Sequence, residues 1–194
     1  VVVENGFDFD TFKLTIGIRE RQRERIVMLY HELEWKGTQD AFKALDIVKR
    51  QFPALTVNLF GVYAKPINLP DWYVYFQMPD KDTLNRIYNE AAIYVGASHT
   101  EGWGLTVGEA MQCGCAVACT NNGGYVVLAH HEETALVSPV KDVDALAKNI
   151  IRLLEDQELR FRLAENGNRN VKQYTWERSY KRLRNILLKR GMVS

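Results

Sequence analysis

No stretch of this chain approaches the roughly 20 consecutive apolar residues of a membrane-spanning helix, so no helical span is expected. No signal-peptide pattern is seen either. Net charge is nearly lacking: 25 Lys and Arg against 24 Asp and Glu leave +1. A nucleic-acid binder takes its affinity from a basic face that neutralises phosphates, and this balance argues against one. Cysteine is scarce. Cys113, Cys115 and Cys119 form an odd, clustered set, a poor disulfide framework that favours a reducing compartment. Their C-x-C-x3-C spacing is not a usual zinc pattern. Cys115 and Cys119 read instead as packed thiols in or beside an apolar strand. Low-complexity segments, long linkers and clear repeats are lacking too.

What is present is ordinary for a globular protein, with 46% hydrophobic and 25% charged residues. The 194 residues suit one domain, or one plus an appendage, with enough core to fold alone. The chain opens at Val1 with VVVENGFDFDTF, an apolar run followed by a predicted turn at Asn5-Gly6. That opening reads as the interior of a longer protein.

Short β-rich runs alternate with helical patterns. Strands are predicted at Arg25–Tyr30, Thr56–Phe60, Tyr73–Phe76, Ile93–Ala97 and Ala116–Thr120, with a shorter one near Ala135–Val137. Between most of them lie helices. Thr38 to Gln51 puts Ala41, Phe42, Leu45 and Val48 on one face, and Lys81 to Ala92 carries Leu84, Ile87 and Tyr88. Leu105 to Cys113 stops at Gly114, a natural C-terminal stop. Asp142 reads as the N-cap of a helix with Val143, Leu146, Ile150, Leu153 and Leu154 at helical spacing. Two more helices follow, around Asp156–Gln173 and Thr175–Lys189. The alternation predicts an α/β fold: a doubly wound parallel sheet closed by C-terminal helices.

Such sheets bind ligands beyond the carboxyl ends of their strands, and three loops there are chemically pointed. In HELEWKG, residues 31 to 37, Lys36 precedes a helix start whose amides attract anions; a solvated surface lysine is the bland alternative. In SHTEGWGLTVGEAM, Gly102 and Gly104 allow close backbone approach, and the amides near Leu105 to Val107 face an anion. Glu101 stays in the loop, and Glu109 lies about one turn into the helix. Two acceptors flanking a phosphate-sized gap suit a nucleotide sugar. A helix-capping acid plus a surface acid is the competing reading. In NNGGYVV, Gly123-Gly124 either wraps a polar ligand end with amides or makes a plain turn.

Other features invite simpler readings. GWGLTVG imitates the dinucleotide fingerprint G-x-G-x-x-G, but it lies deep in the chain with the wrong spacing and no later acid, so a nicotinamide site is disfavoured. His130-His131 reads as exposed polar residues. KRLRNILLKR places Leu183, Ile186 and Leu187 on one side, a packing helix with a solvated basic face. A membrane-surface role for it is the minority reading.

The stretch EGWGLTVGEAMQCGCAVACTNNGG, followed by ETALVSPVKDVDALAKNI, resembles the donor-binding half of family-4 glycosyltransferases of the GT-B fold. The likeness extends upstream through Trp35-Lys36-Gly37 and Pro79–Leu84, and downstream to YTWERSY, so it covers nearly the whole chain. Its E-x7-E core with flanking E-A-M and G-G is highly specific. The resemblance implies a single Rossmann-like domain over residues 1–194 that binds a nucleotide diphosphate sugar. It implies a separate N-terminal domain for the acceptor, with the active site between the two. Glu109 would hold the ribose hydroxyls. Glu101 would lie beside the donor sugar as the catalytic carboxylate. Gly102, Trp103, Gly104, Leu105 and Thr106 would line the donor, and Lys36 would neutralise the diphosphate. His31 stands where many relatives carry arginine, and a neutral imidazole compensates phosphate charge less well. Family topology puts the base near Gln77 and Met78.

The resemblance further implies retaining transfer without a metal ion or other cofactor, in synthesis of cell-surface polysaccharide or glycoconjugates. It points to the cytoplasm, with peripheral association of the full-length protein at the inner membrane face. The competing function is a catalytically silent nucleotide-binding or protein-docking module.

Overall fold

The computed structural model describes residues 2–190. Six strands form one parallel sheet: β1 Arg25–Leu29, β2 Thr56–Gly61, β3 Tyr73–Gln77, β4 Ile93–Gly96, β5 Ala116–Thr120 and β6 Leu136–Ser138. Their order is β3-β2-β1-β4-β5-β6. The helices are α1 Thr38–Gln51, α2 Lys81–Glu90, α3 Leu105–Gln112, α4 Val143–Glu155, α5 Gln157–Val171 and α6 Trp176–Lys189.

Strand alternation sorts the core into two layers. Ile26, Met28, Ile93, Val95, Ala116 and Ala118 face one side, where Ala41, Leu45 and Val48 of α1 and Leu146, Ile150 and Leu153 of α4 cover them. Val27, Tyr94, Val117 and Cys119 face the other, against Ile87 and Tyr88 of α2 and Val107, Ala110 and Met111 of α3. With both faces covered, the strands read as continuous apolar runs. All three cysteines are buried, free thiols, as expected of packed residues.

The helix ends follow from local chemistry. Asp80, Asp142, Asp156 and Thr175 each accept an N–H from the first turn of the helix that follows, satisfying an amide that has no partner within the helix. Gly114 ends α3 with φ +81°, a conformation that favours glycine. Arg21 is 9% exposed and donates to the carbonyls of Ala91 and Cys113, capping the C-termini of α2 and α3 with a cation.

Two expectations need correction, and one falls partly outside the described residues. Asn5-Gly6 makes no turn; the chain turns at Phe9–Thr11, where the Asp8 carboxylate accepts the N–H groups of Asp10 and Thr11. Gly6 serves close packing instead: a Cβ there would lie 2.3 Å from the backbone nitrogen of Trp176. Val1, the first residue of the expected apolar run, lies outside the described residues. Last, α6 buries none of its residues; Ile186 and Leu187 are partly covered, and Leu183 is 46% exposed.

Candidate functional site

The strand order reverses beside β1, whose successors run to β2 and β3 on one side while β4 leads to β5 and β6 on the other. The loops after β1 and β4 flank the resulting crevice, the usual ligand position in open α/β sheets.

The first loop passes through a 3-10 turn at Glu34–Lys36 and reaches α1 through Gly37 at φ +66°. A Cβ on Gly37 would sit 1.9 Å from the Ala97 carbonyl oxygen. Glycine therefore lets this loop pack backbone to backbone on the end of β4. The Thr38 hydroxyl donates to the His31 carbonyl at 2.7 Å, closing the loop on itself.

The second loop supplies Glu101. Its Oε1 accepts from Lys36 Nζ at 2.7 Å and from Ser98 Oγ at 2.8 Å. Both members of the ion pair are largely sheltered, with side chains 22% and 15% exposed. Ser98 ties in the third loop as well. Tyr125 OH donates to its hydroxyl at 3.2 Å, and Asn122 Nδ2 donates to its carbonyl at 2.9 Å. Asn122 Oδ1 then accepts the amides of Gly124 and Tyr125. The Gly-Gly amides thus do not all face a ligand. Gly124 lies tight under Glu101, where a Cβ would come within 2.7 Å of the Glu101 Cβ. NNGG braces the acid.

The helix entrance is only partly as expected. Gly104 enters α3 at φ +85°, and a Cβ at Gly102 would meet nothing within 4 Å. The first amides of a helix lack intrahelical partners, and those of α3 follow the Glu101 loop directly. Leu105 is 50% exposed there. Trp103 turns elsewhere: its ring stacks on Phe7 at 5.7 Å and meets Tyr174 edge-on at 5.3 Å. Its side chain packs against the core, and its indole N–H is buried without a partner among the described residues. Thr106 accepts from Tyr94 OH at 2.7 Å, facing the sheet.

Glu109 sits apart from Glu101, against α2. Tyr88, fully buried, donates its hydroxyl to Glu109 at 3.1 Å. Burial pushes the Glu109 carboxyl up to about 7, outweighing the stabilising hydrogen bond from Tyr88. The nearby Asp8 raises it further and Lys81 opposes. Asp8 and Lys81 are themselves paired at 3.0 Å.

His31 accepts the Leu33 N–H on Nδ1 at 3.1 Å, so its neutral ring carries the proton on Nε2. Burial, then the charge of Lys36, lowers its pKa. Gln77 ends the edge strand β3, and Met78 follows it, 70% exposed at φ 46°. They share the rim of strand ends, but no described contact links them to Lys36 or Glu101. His130 and His131 are exposed, as expected.

Residues 13–170 match the model of the glycosyl transferases group 1. The chain belongs to that family. A curated relative, O-antigen chain mannosyltransferase B of Escherichia coli, is 35% identical over 100 residues, 52% of this chain and 26% of the relative. The C-terminal domain of a group 1 glycosyl transferase (LpcC) from Francisella tularensis superposes with TM-score 0.74 at 24% identity, covering 87% of this chain and 97% of that one. Anabaena HepE in complex with UDP-glucose gives TM-score 0.81 at 18% identity, covering 97% and 57%. At such identities these likenesses show the fold: the Rossmann-like parallel sheet of GT-B glycosyltransferases. The chain spans about a quarter of the length of the curated relatives it matches.

Sequence reasoning missed Ser98, Asn122, Tyr125 and Tyr88, which hold the predicted acids in place. Ser98 adjoins the motif, but its partners Asn122 and Tyr125 lie 24 and 27 residues away, so no local pattern exposes them.

Proposed function

We propose that this chain is the donor-binding part of a group 1 glycosyltransferase, holding a nucleotide diphosphate sugar across the β1–β4 crevice. The observation that carries the reading is the Lys36–Glu101 ion pair beside the N-terminus of α3. Lys36 and the first α3 amides compensate the diphosphate, so the reading requires no metal ion. Glu101 accepts hydroxyls of the donor sugar. A carboxylate next to a phosphate is ordinarily repelled, and Lys36 between them offsets that repulsion. Glu109, held by Tyr88, accepts the ribose hydroxyls. Support comes also from the similar Anabaena protein, whose structures hold UDP and UDP-glucose.

In this reading a further domain binds the acceptor and completes the site, transfer retains anomeric configuration, and the product serves cell-surface glycoconjugate synthesis. Calorimetry with UDP, GDP and ADP and their glucose or mannose conjugates tests the donor step. Saturable binding of at least one is expected, weakened by Glu109→Ala. No binding by the folded chain would overturn the assignment. Transfer assays on the whole protein separate an enzyme from a silent nucleotide-binding module.

A further inference from the structure

Lys36 and Glu101 both stand on short, irregular loops, outside the sheet ladder. Their separation of 2.7 Å therefore needs something else to hold it. One residue of the second loop grips the first at two points. The His99 N–H donates to the Trp35 carbonyl at 2.7 Å, and the His99 ring Nε2 lies 2.7 Å from Asp40 Oδ2. A carboxylate offers only acceptors, so Nε2 carries the donated hydrogen in either protonation state of the ring.

The two contacts bracket Lys36 in sequence, one just before it and one in the first turn of α1. Asp40 is free for this work because the Gly37 N–H, which an acid at this place can accept, already donates to the Glu34 carbonyl. Its position in the first turn also favours a negative charge. The pair is sheltered, with His99 and Asp40 side chains 15% and 21% exposed. A contact so screened from water holds geometry better than a surface ion pair does. Both residues line a cavity of about 440 Å³ that also touches His31, Gly37 and Lys141.

We infer that Asp40 and His99 are positioning residues: their contact fixes the Lys36 turn against the Glu101 loop and thereby sets donor affinity. It rests on the donor-contact reading of Lys36 and Glu101. Neither residue need touch the donor.

The test is UDP calorimetry on the 194-residue chain, with Asp40→Ala, His99→Ala, the double variant, and His99→Gln, which keeps a donor within reach of Asp40. Each alanine variant is expected to weaken UDP binding about fivefold to tenfold. The double variant should be no worse than either single, and His99→Gln should recover most of the loss. In a Lys36→Ala background, Asp40→Ala should have no further effect. Losses that add in the double variant, or persist without Lys36, overturn the positioning role. A second readout is independent of nucleotide: the NMR signal of the Lys36 ammonium protons, slowed in exchange by Glu101. It should be lost in Asp40→Ala while the thermal midpoint and amide spectrum of the core persist. If wild type binds no nucleotide, the donor reading falls and this signal still decides the pairing. If wild type binds, Lys36→Ala weakens it and the pair variants do not, only the present inference falls.

Discussion

Lys36 and Glu101 are 65 residues apart in sequence and 2.7 Å apart in space, joined across the point where the sheet changes direction. Short loops after two adjacent parallel strands make such a meeting possible, because the strands deliver both to one rim.

Removing the cation should cost affinity. Lys36→Ala deletes a charge-assisted hydrogen bond to phosphate, of roughly 1.5–3 kcal/mol, so UDP binding should weaken about tenfold to a hundredfold. Calorimetry at low salt reads this, and an unchanged Kd would remove Lys36 from the site.

Glu109 gives the chain a pH signature. Its folded pKa stands at about 7 against an ordinary 4.5. A raised carboxyl pKa means the folded state binds the proton more tightly. The associated stability is fully present below pH 4.5 and is lost as pH rises through about 7. The total is roughly 3 kcal/mol at about 1.4 kcal/mol per pH unit. Glu109→Gln should flatten this part of the stability profile in urea titrations between pH 5 and 8. Donor binding should move the opposite way, because ribose hydroxyls need the carboxylate as acceptor. Affinity for UDP-glucose, whose diphosphate does not titrate in this range, should rise from pH 6 to pH 8 in wild type and stay flat in Glu109→Gln.

Two glycines should answer differently to the same change. Gly37→Ala combines a left-handed φ of +66° with a Cβ 1.9 Å from the Ala97 carbonyl. It should destabilise by about 2–4 kcal/mol, read as a lower urea midpoint. Gly102→Ala meets open space and should shift stability by less than about 0.5 kcal/mol. Any loss of nucleotide-sugar affinity in Gly102→Ala then reports a close approach by the ligand.

His31→Arg puts a permanent cation beside Lys36, the residue type that the family resemblance leads one to expect at this place. A guanidinium beside Lys36 should strengthen UDP binding by about fivefold to tenfold, with a steeper salt dependence. Equal affinity would remove position 31 from the phosphate site.

The sheet was legible because its signal is local. Ile26, Val27 and Met28, or Ala116, Val117 and Ala118, are runs that only a strand covered on both faces explains. The cap at Asp142 was legible for the same reason, since its side chain and the amide it bonds are three residues apart. Glu101, Lys36 and Gly104 were singled out by motif and loop pattern, and the structure brings Lys36 and Glu101 together. What stayed hidden depends on distant partners. Trp103 was expected among the donor-lining residues, and no local pattern shows that its side chain packs on Phe7 and Tyr174. Asn5-Gly6 has turn composition, yet the backbone of Trp176 claims the space that makes Gly6 necessary. Ser98 and Asn122 are ordinary polar residues whose role exists only once three loops meet.

That meeting has a mechanical side. Asn122 holds Ser98, Ser98 holds Glu101, and Glu101 holds Lys36, each through a hydrogen bond between 2.7 and 2.9 Å. Here the segments after β1, β4 and β5 are joined by one continuous run of hydrogen bonds, from the lysine to the asparagine.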